Sequence, residues 1–263
     1  MRCLHVITGL NSGGAEGVLY NLCIHDLNNT HTVVSLSDDG LYGPLLRESN
    51  IKVISLNING YLSLFNAFIR LFRIIRSKKP DVVQTWMYHA DFFGGIIAKM
   101  SGVKRIFWNV RHTHLDLNLM KFRTILISKF CAILSKVIPD KIICCSRKAI
   151  DSHVEFGYKK NKFVLISNGY DLKRFSPQSN LSLTNQYFSE LDKSTPLIGM
   201  ISRYAPVKDH KNFLRALSIL RKKNIHFYCI FVGLNLNIDN AELMKWIKQY
   251  KLNKHVKLFD VQR

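Results

Sequence analysis

The run Ile198-Gly-Met-Ile-Ser-Arg-Tyr-Ala-Pro-Val-Lys-Asp-His-Lys-Asn-Phe-Leu-Arg-Ala-Leu217 decides the fold class. Leu197 to Ile201 is an unbroken apolar segment and reads as a buried strand. Ala205-Pro206 interrupts it, after which Phe213, Leu214, Leu217 and Leu220 recur at helical spacing. Arg203 and Lys208 therefore fall in a strand-to-helix loop at the carboxyl end of a strand, the edge where open α/β sheets bind ligands. Two cations beside a helix N-terminus suit a diphosphate, because side-chain charge and backbone N–H groups can converge on one anion. The alternative is a solvated basic loop in a chain rich in Lys.

The same rhythm runs outward in both directions. Strands are expected at 3–8, 31–37, 52–56, 82–86, 105–110, 141–145 and 163–167. Helices are expected at 15–25, 43–49, 61–79, 91–100, 116–137 and 147–156, with Gly94-Gly95 allowing close packing. Alternation of this kind predicts a parallel, doubly wound sheet. Asn168-Gly169 then turns the chain into a polar stretch with linker composition. The expected division is a Rossmann-like domain over 1–168, a linker over 169–195 and a second unit over 196–263. That second unit has strands at 197–202, 226–232 and 255–259 and helices at 209–223 and 240–251. It is smaller than a usual doubly wound domain of ~100 to 150 residues, so it reads as incomplete.

Near the start, the strand Cys3 to Thr8 is followed by Gly9, Gly13 and Gly14 and then a helix, the arrangement that brings backbone close to phosphate. The spacing does not fit Gly-x-Gly-x-x-Gly, so no NAD site is expected. A turn needing positive φ is the other reading of these glycines. Glu16 caps its helix or contacts substrate. His89 and Asp91 fall on the side where an acceptor would sit, although a helix N-cap explains Asp91 as well.

Four stretches, in order along the chain, resemble the family 4 glycosyltransferases. They are Gly9-Leu-Asn-Ser-Gly-Gly-Ala-Glu-Gly-Val-Leu19, then Gln84-Thr-Trp-Met-Tyr-His-Ala-Asp91 with Arg111-His-Thr-His114, then Ile166-Ser-Asn-Gly-Tyr-Asp-Leu-Lys-Arg-Phe-Ser-Pro177, and the loop quoted first. The resemblance implies a retaining enzyme of the two-domain GT-B α/β fold, with one complete and one incomplete Rossmann-like domain. It implies that Arg203 and Lys208, with Gly13 and Gly14, hold the donor diphosphate at the interdomain cleft. It further implies that His112 positions and polarises the donor sugar, with His114 as the alternative, and that Glu16, His89 and His114 are possible acceptor or sugar contacts. The family's second domain continues past this length and carries a pair of glutamates eight positions apart, which this chain lacks. The chain therefore looks C-terminally truncated and is expected to be inactive alone. No cofactor or metal is expected: Asp-x-Asp, the usual carboxylate pair for a divalent cation on a diphosphate, is missing from the sequence.

Charge narrows the partners. Thirty-eight Lys and Arg against eighteen Asp and Glu leave a net +20, which calls for an anionic partner. Residues 61–79 contain no acid, and 116–137 carry Lys121, Arg123, Lys129 and Lys136 beside an apolar row. One-sided basic faces suit anionic lipid. Proteins that the chain resembles act on lipid-linked glycans at the inner face of a bacterial membrane, in envelope polysaccharide or lipopolysaccharide assembly. A cytoplasmic protein, peripheral on that face, is the expectation. A nucleic-acid-binding protein is the first rival on charge, but helix-turn-helix, zinc and RNA-recognition signatures are missing. A GT-B sugar-nucleotide epimerase is the second. No apolar run approaches the ~18 to 20 residues of a membrane span. The six cysteines lie in apolar segments without zinc-ligand spacing and read as buried free thiols.

Overall fold

The computed structural model describes residues 1–112, 121–172 and 195–261. The chain divides into two compact units, Met1–Phe175 and Ser176–Arg263. In the first, the strands are β1 (Arg2–Ile7), β2 (Thr30–Ser35), β3 (Lys52–Ser55), β4 (Val82–Trp86), β5 (Ile106–Val110), β6 (Lys141–Cys144) and β7 (Phe163–Leu165). They form one sheet in the order β3-β2-β1-β4-β5-β6-β7, every pair parallel. The connecting helices are α1 (Gly14–His25), α2 (Tyr42–Glu48), α3 (Tyr61–Lys78), α4 (Tyr88–Met100), α5 (Phe122–Leu134) and α6 (Arg147–Glu155).

A parallel sheet is covered on both faces by its crossovers, so its strands are apolar along their length rather than alternating. β1 shows why. Leu4 and Val6 enter the larger core with Leu71, Ile97 and Trp108, under α3, α4 and α5. Ile7 points the other way, into a second core with Leu19, Leu46 and Trp86 under α1 and α2. Helix α4 lies against the sheet through two glycines, as the sequence leads one to expect. A Cβ on Gly94 would stand 2.9 Å from Val6 Cγ1, and one on Gly95 would stand 2.8 Å from Trp108 Nε1.

The second unit has β8 (Leu197–Ile201), β9 (Tyr228–Val232) and β10 (Val256–Phe259) in a parallel sheet ordered β10-β9-β8, with α7 (His210–Lys222) and α8 (Ala241–Gln249). Its core is Leu214, Leu217, Phe231, Leu243 and Ile247. None of the described helices is long and apolar enough to cross a membrane.

Three local expectations need correction. Helix α4 starts three residues before Asp91, directly after a left-handed Met87 (φ 71°). Asp91 is thus inside the first turn and is fully buried, not a cap. Gly13 is extended (φ −162°), and neither Gly9, Gly13 nor Gly14 has positive φ, so left-handed freedom is not what selects glycine there. All six cysteines are free, but Cys3 and Cys145 are only half-buried.

The packing of α4 gives a test. Alanine outranks glycine in helices by about 1 kcal/mol, yet Gly94→Ala should lower unfolding free energy by about 1 to 3 kcal/mol through overpacking against Val6. Urea denaturation followed by Trp fluorescence checks the sign; a stabilised variant would mean α4 does not sit this close to β1.

Candidate active site

The strand order reverses between β1 and β4, and this is where loops diverge and leave a crevice at the carboxyl edge. Gly13 closes the loop after β1 as N-cap of α1, and no side chain caps that helix end. Glu16, in the first turn, folds its carboxylate back over Gly13, and a Cβ at Gly13 would overlap Glu16 Oε2. The acid thus lies close against the glycine at the helix entrance, where the dipole favours negative charge, and as the far end of a flexible side chain it can swing aside for a Cβ. Gly14 faces open space.

Across the switch point, β4 delivers Tyr88 and β5 delivers His112. Their rings stack at 5.5 Å and 19°. Tyr88 is buried, and its hydroxyl donates to His153 Nε2 at 2.7 Å. His153 Nδ1–H in turn donates to Ala149 O at 2.6 Å, which fixes the tautomer. Burial lowers the His153 pKa to about 4, so the ring is neutral at pH 7. His112 keeps an exposed edge, but the protein packed around it lowers its pKa too. A neutral imidazole at this place can hydrogen-bond a sugar hydroxyl without adding charge.

The backbone beneath His112 is held through Arg111. Its guanidinium lies 5.0 Å from the Trp86 ring and donates to Asn168 Oδ1 at 2.7 Å and Asn109 Oδ1 at 3.0 Å. Asn168 belongs to one of the four motif stretches, and this bond gives it a role. His89, next along α4, is half-buried with a lowered pKa from burial, and no hydrogen bond joins it to Tyr88, His112 or His153. Asp91 does not line the crevice: Thr85 Oγ1–H donates to its Oδ1 at 2.5 Å. Burial holds the Asp91 carboxyl well above the usual carboxylate range. His114 lies outside the described residues.

In the second unit, Arg203 follows β8 and Lys208 ends a short 3-10 turn over Pro206–Lys208. Asp209 caps α7, its carboxylate accepting from Asn212 N–H. Behind the loop, Ser202 Oγ and His210 Nε2 are 3.0 Å apart, with His210 buried and its pKa lowered mainly by that burial. Tyr204 stacks between His210 and Trp246 and donates to Glu242 at 2.7 Å. Gly233, at φ +143°, brings the loop after β9 so near that a Cβ would overlap Ser202 O. These contacts leave Arg203 and Lys208 exposed, and neither forms an ion pair among the described residues.

The first unit also has a concavity of about 840 Å³ lined by Arg76, Lys79, Asp81, Ser101 and Arg105. It lies at the opposite edge, where α3 and α4 end. Helix carboxyl ends disfavour anions, so within this unit the carboxyl edge of the sheet, with the glycine turn, is the better candidate.

Residues 12–174 match the family model Glycosyltransferase Family 4, and residues 184–262 match Glycosyl transferases group 1. The chain belongs to glycosyltransferase family 4. Among relatives of this family 4 chain, EpsF of Bacillus subtilis is 22% identical over 266 residues, covering 88% of this chain and 62% of EpsF. The UDP-Gal:alpha-D-GlcNAc-diphosphoundecaprenol alpha-1,3-galactosyltransferase of Escherichia coli is 23% identical over 183 residues, covering 69% of this chain and 46% of the enzyme. The chain thus spans less than two thirds of either relative. Anabaena HepE, solved with UDP, superposes over 100% of this chain and 70% of HepE with a TM-score of 0.81 at 19% identity. The α/β fold is of the GT-B type.

The structure puts Arg203, Lys208, Gly13 and His112 in the segments that follow strands, as the motifs led one to expect, while Gly14 and Glu16 stand in the first turn of α1. Tyr88 lay inside a quoted motif without a role. His153 carried no local signal, because its bond to Tyr88 spans 65 residues.

The neutral His153 makes this family 4 chain acid-sensitive. Between about pH 6.5, the unfolded value, and pH 4, the unfolded state binds a proton that the native ring refuses. This contribution is fully present above pH 6.5 and is lost as pH falls through that window. His153→Gln, which accepts but does not titrate, should flatten the fall by about 1 kcal/mol per pH unit in denaturant titrations. An unchanged slope would place the acid sensitivity elsewhere.

Proposed function

We propose that the protein belongs to a retaining glycosyltransferase that moves a sugar from a nucleotide-sugar donor to a lipid-linked glycan in bacterial envelope polysaccharide or lipopolysaccharide assembly. The observation that carries this is the exposed pair Arg203 and Lys208, in no ion pair among the described residues, on a loop locked from behind. As the bond from sugar to diphosphate breaks, negative charge grows on the leaving phosphate. Preorganised cations and amides aimed at that charge stabilise the transition state more than the ground state. In this reading Arg203 and Lys208 carry that load without a metal, since the chain has no Asp-x-Asp pair. Neutral His112, held by Tyr88 and Arg111, orients the sugar. Retention requires the acceptor hydroxyl on the face that the diphosphate leaves, which a cleft site can arrange by positioning.

The relatives suggest the substrates to try first. The E. coli relative is named for a UDP-sugar donor and a diphosphoundecaprenol acceptor, and HepE has been solved with UDP-glucose. In the 263-residue chain, Arg203→Ala and Lys208→Ala should each weaken UDP binding by about 1.5 to 3 kcal/mol. Calorimetric titration measures this, and a double variant that binds UDP like the parent would sink the assignment. Transfer onto the lipid-linked acceptor tests the reaction itself.

A membrane surface completes the reading in place of nucleic acid. Arg70, Arg73 and Arg76 are exposed along α3, while Leu62 and Phe65 at its start are 86% and 67% exposed. On α5, Phe122 and Ile133 are likewise exposed beside Arg123 and Lys129. Cations flanking bare apolar side chains suit anionic headgroups over an acyl layer. The protein should co-sediment with anionic liposomes, less so as salt rises. Charge reversal at Arg70, Arg73 and Arg76 should release it. Salt-independent binding to neutral liposomes would defeat the electrostatic part.

A further inference from the structure

We infer a second, structural site in the first unit: His5, His31 and Cys23 form a buried centre for a borderline-to-soft transition-metal ion, with zinc(II) as the ion of that class. The three donors come from three elements. His5 and His31 stand on adjacent strands β1 and β2, and Cys23 descends from α1, which covers that face. All three are buried, and their donor atoms lie within 4.8 Å of one another. His5 Nε2 and His31 Nδ1 are only 2.9 Å apart. Zinc bonds of ~2.0 to 2.3 Å in a tetrahedron need donors about 3.3 to 3.8 Å apart, so a shift of about 1 Å at most gathers them. Two imidazoles and a thiol favour zinc, cobalt or copper(I) and disfavour magnesium or calcium, which take oxygen donors.

The surroundings already suit metallation. On its far side, His31 Nε2 faces Asp26 Oδ2 at 3.4 Å. A carboxylate behind a ligating imidazole is the usual device that orients the ring and raises its basicity. Cys3 is the cross-strand partner of His31 and sits two residues before His5, so the three side chains share one face of the sheet, although Cys3 is not among the residues whose donor atoms converge. The proton balance closes. Trp86 Nε1–H only donates, and it faces His5 Nδ1 at 3.4 Å, so the metal-free His5 carries its proton on Nε2. On binding, that proton moves to Nδ1, the weak Trp86 contact is given up, and the Cys23 thiol releases one proton to solvent. His31 already has the required tautomer, with Nδ1 free to bind and Nε2–H toward Asp26. The ion would tie β1, β2 and α1 together on the far side of the strands from their carboxyl ends, so its role is to hold the frame and not to react.

Cobalt(II) titration of tag-free protein, reduced and purified without metal, tests this. The expected result is one equivalent bound, with a near-ultraviolet thiolate-to-cobalt band and visible bands of tetrahedral intensity, bleached by zinc. Cys23→Ser should abolish the thiolate band and weaken binding at least tenfold. Asp26→Asn, at a half-exposed position, should weaken it about tenfold while leaving the band. Zinc should also raise the melting temperature of the unaltered chain, and a chelator should reverse the rise, a readout that does not depend on how the variants fold. Binding without the thiolate band, a band that survives Cys23→Ser, or no zinc-dependent thermal shift would each overturn the site.

Discussion

An all-parallel sheet admits no tight hairpins. Each strand must be followed by a crossover that returns over one face, so every carboxyl end reaches the same edge. That constraint organises the first unit. With the order β3-β2-β1-β4-β5-β6-β7, the crossovers after β1 and β4 leave to opposite faces, and their loops cannot cover one another. Gly13 and Glu16 end up on one side of the gap, Tyr88 on the other, and His112 beside it on β5. The same geometry in the smaller sheet brings Arg203 and Lys208 to the carboxyl edge of β8. Both units present chemistry at strand ends because parallel pairing brings every loop that follows a strand to one edge.

Inside the frame, ionisable groups are kept neutral and hydrogen-bonded, while the free charge stays outside. His153 is held by Tyr88 and Ala149 O, and its pKa falls to about 4. Burial takes His5 down to about 3. Burial pushes the Asp91 carboxyl the other way, well above the usual carboxylate range. Each direction has the same leading cause: low dielectric disfavours the charged form of acid and base alike. Such groups position neighbours without exerting a long-range field. Arg203 and Lys208 are the opposite case, basic side chains exposed where an anion can reach them. The residues that hold the loop around Arg203, Ser202, Tyr204 and Gly233, are themselves neutral, and Arg203 makes no ion pair among the described residues.

The basic helices show how exposure sharpens a compositional argument. A run of Lys and Arg along an amphipathic helix describes an ordinary wet face as well as a docking face. In α3, the apolar residues divide: Leu71 and Ile75 enter the core, whereas Leu62 and Phe65 do not. Their position on the first turn, ahead of the buried row, leaves them no sheet to pack against.

Sequence alone determined the β/α alternation, the loops that carry Arg203, Lys208 and His112, and the close approach of α4 through Gly94 and Gly95. These are local properties, readable from periods of two and 3.6 residues and from residues that punctuate them. Tertiary structure decided what depends on register and on which face a side chain takes. It showed Asp91 turned inward to Thr85, the Glu16 carboxylate folded over Gly13, and His153 reaching Tyr88 across 65 positions. It also joined Cys23 to His5 and His31, three residues with no ligand spacing along the chain. A parallel strand meets its neighbour only after a full crossover, so contacts made through the sheet leave no signature in the short stretches that a sequence can be read by.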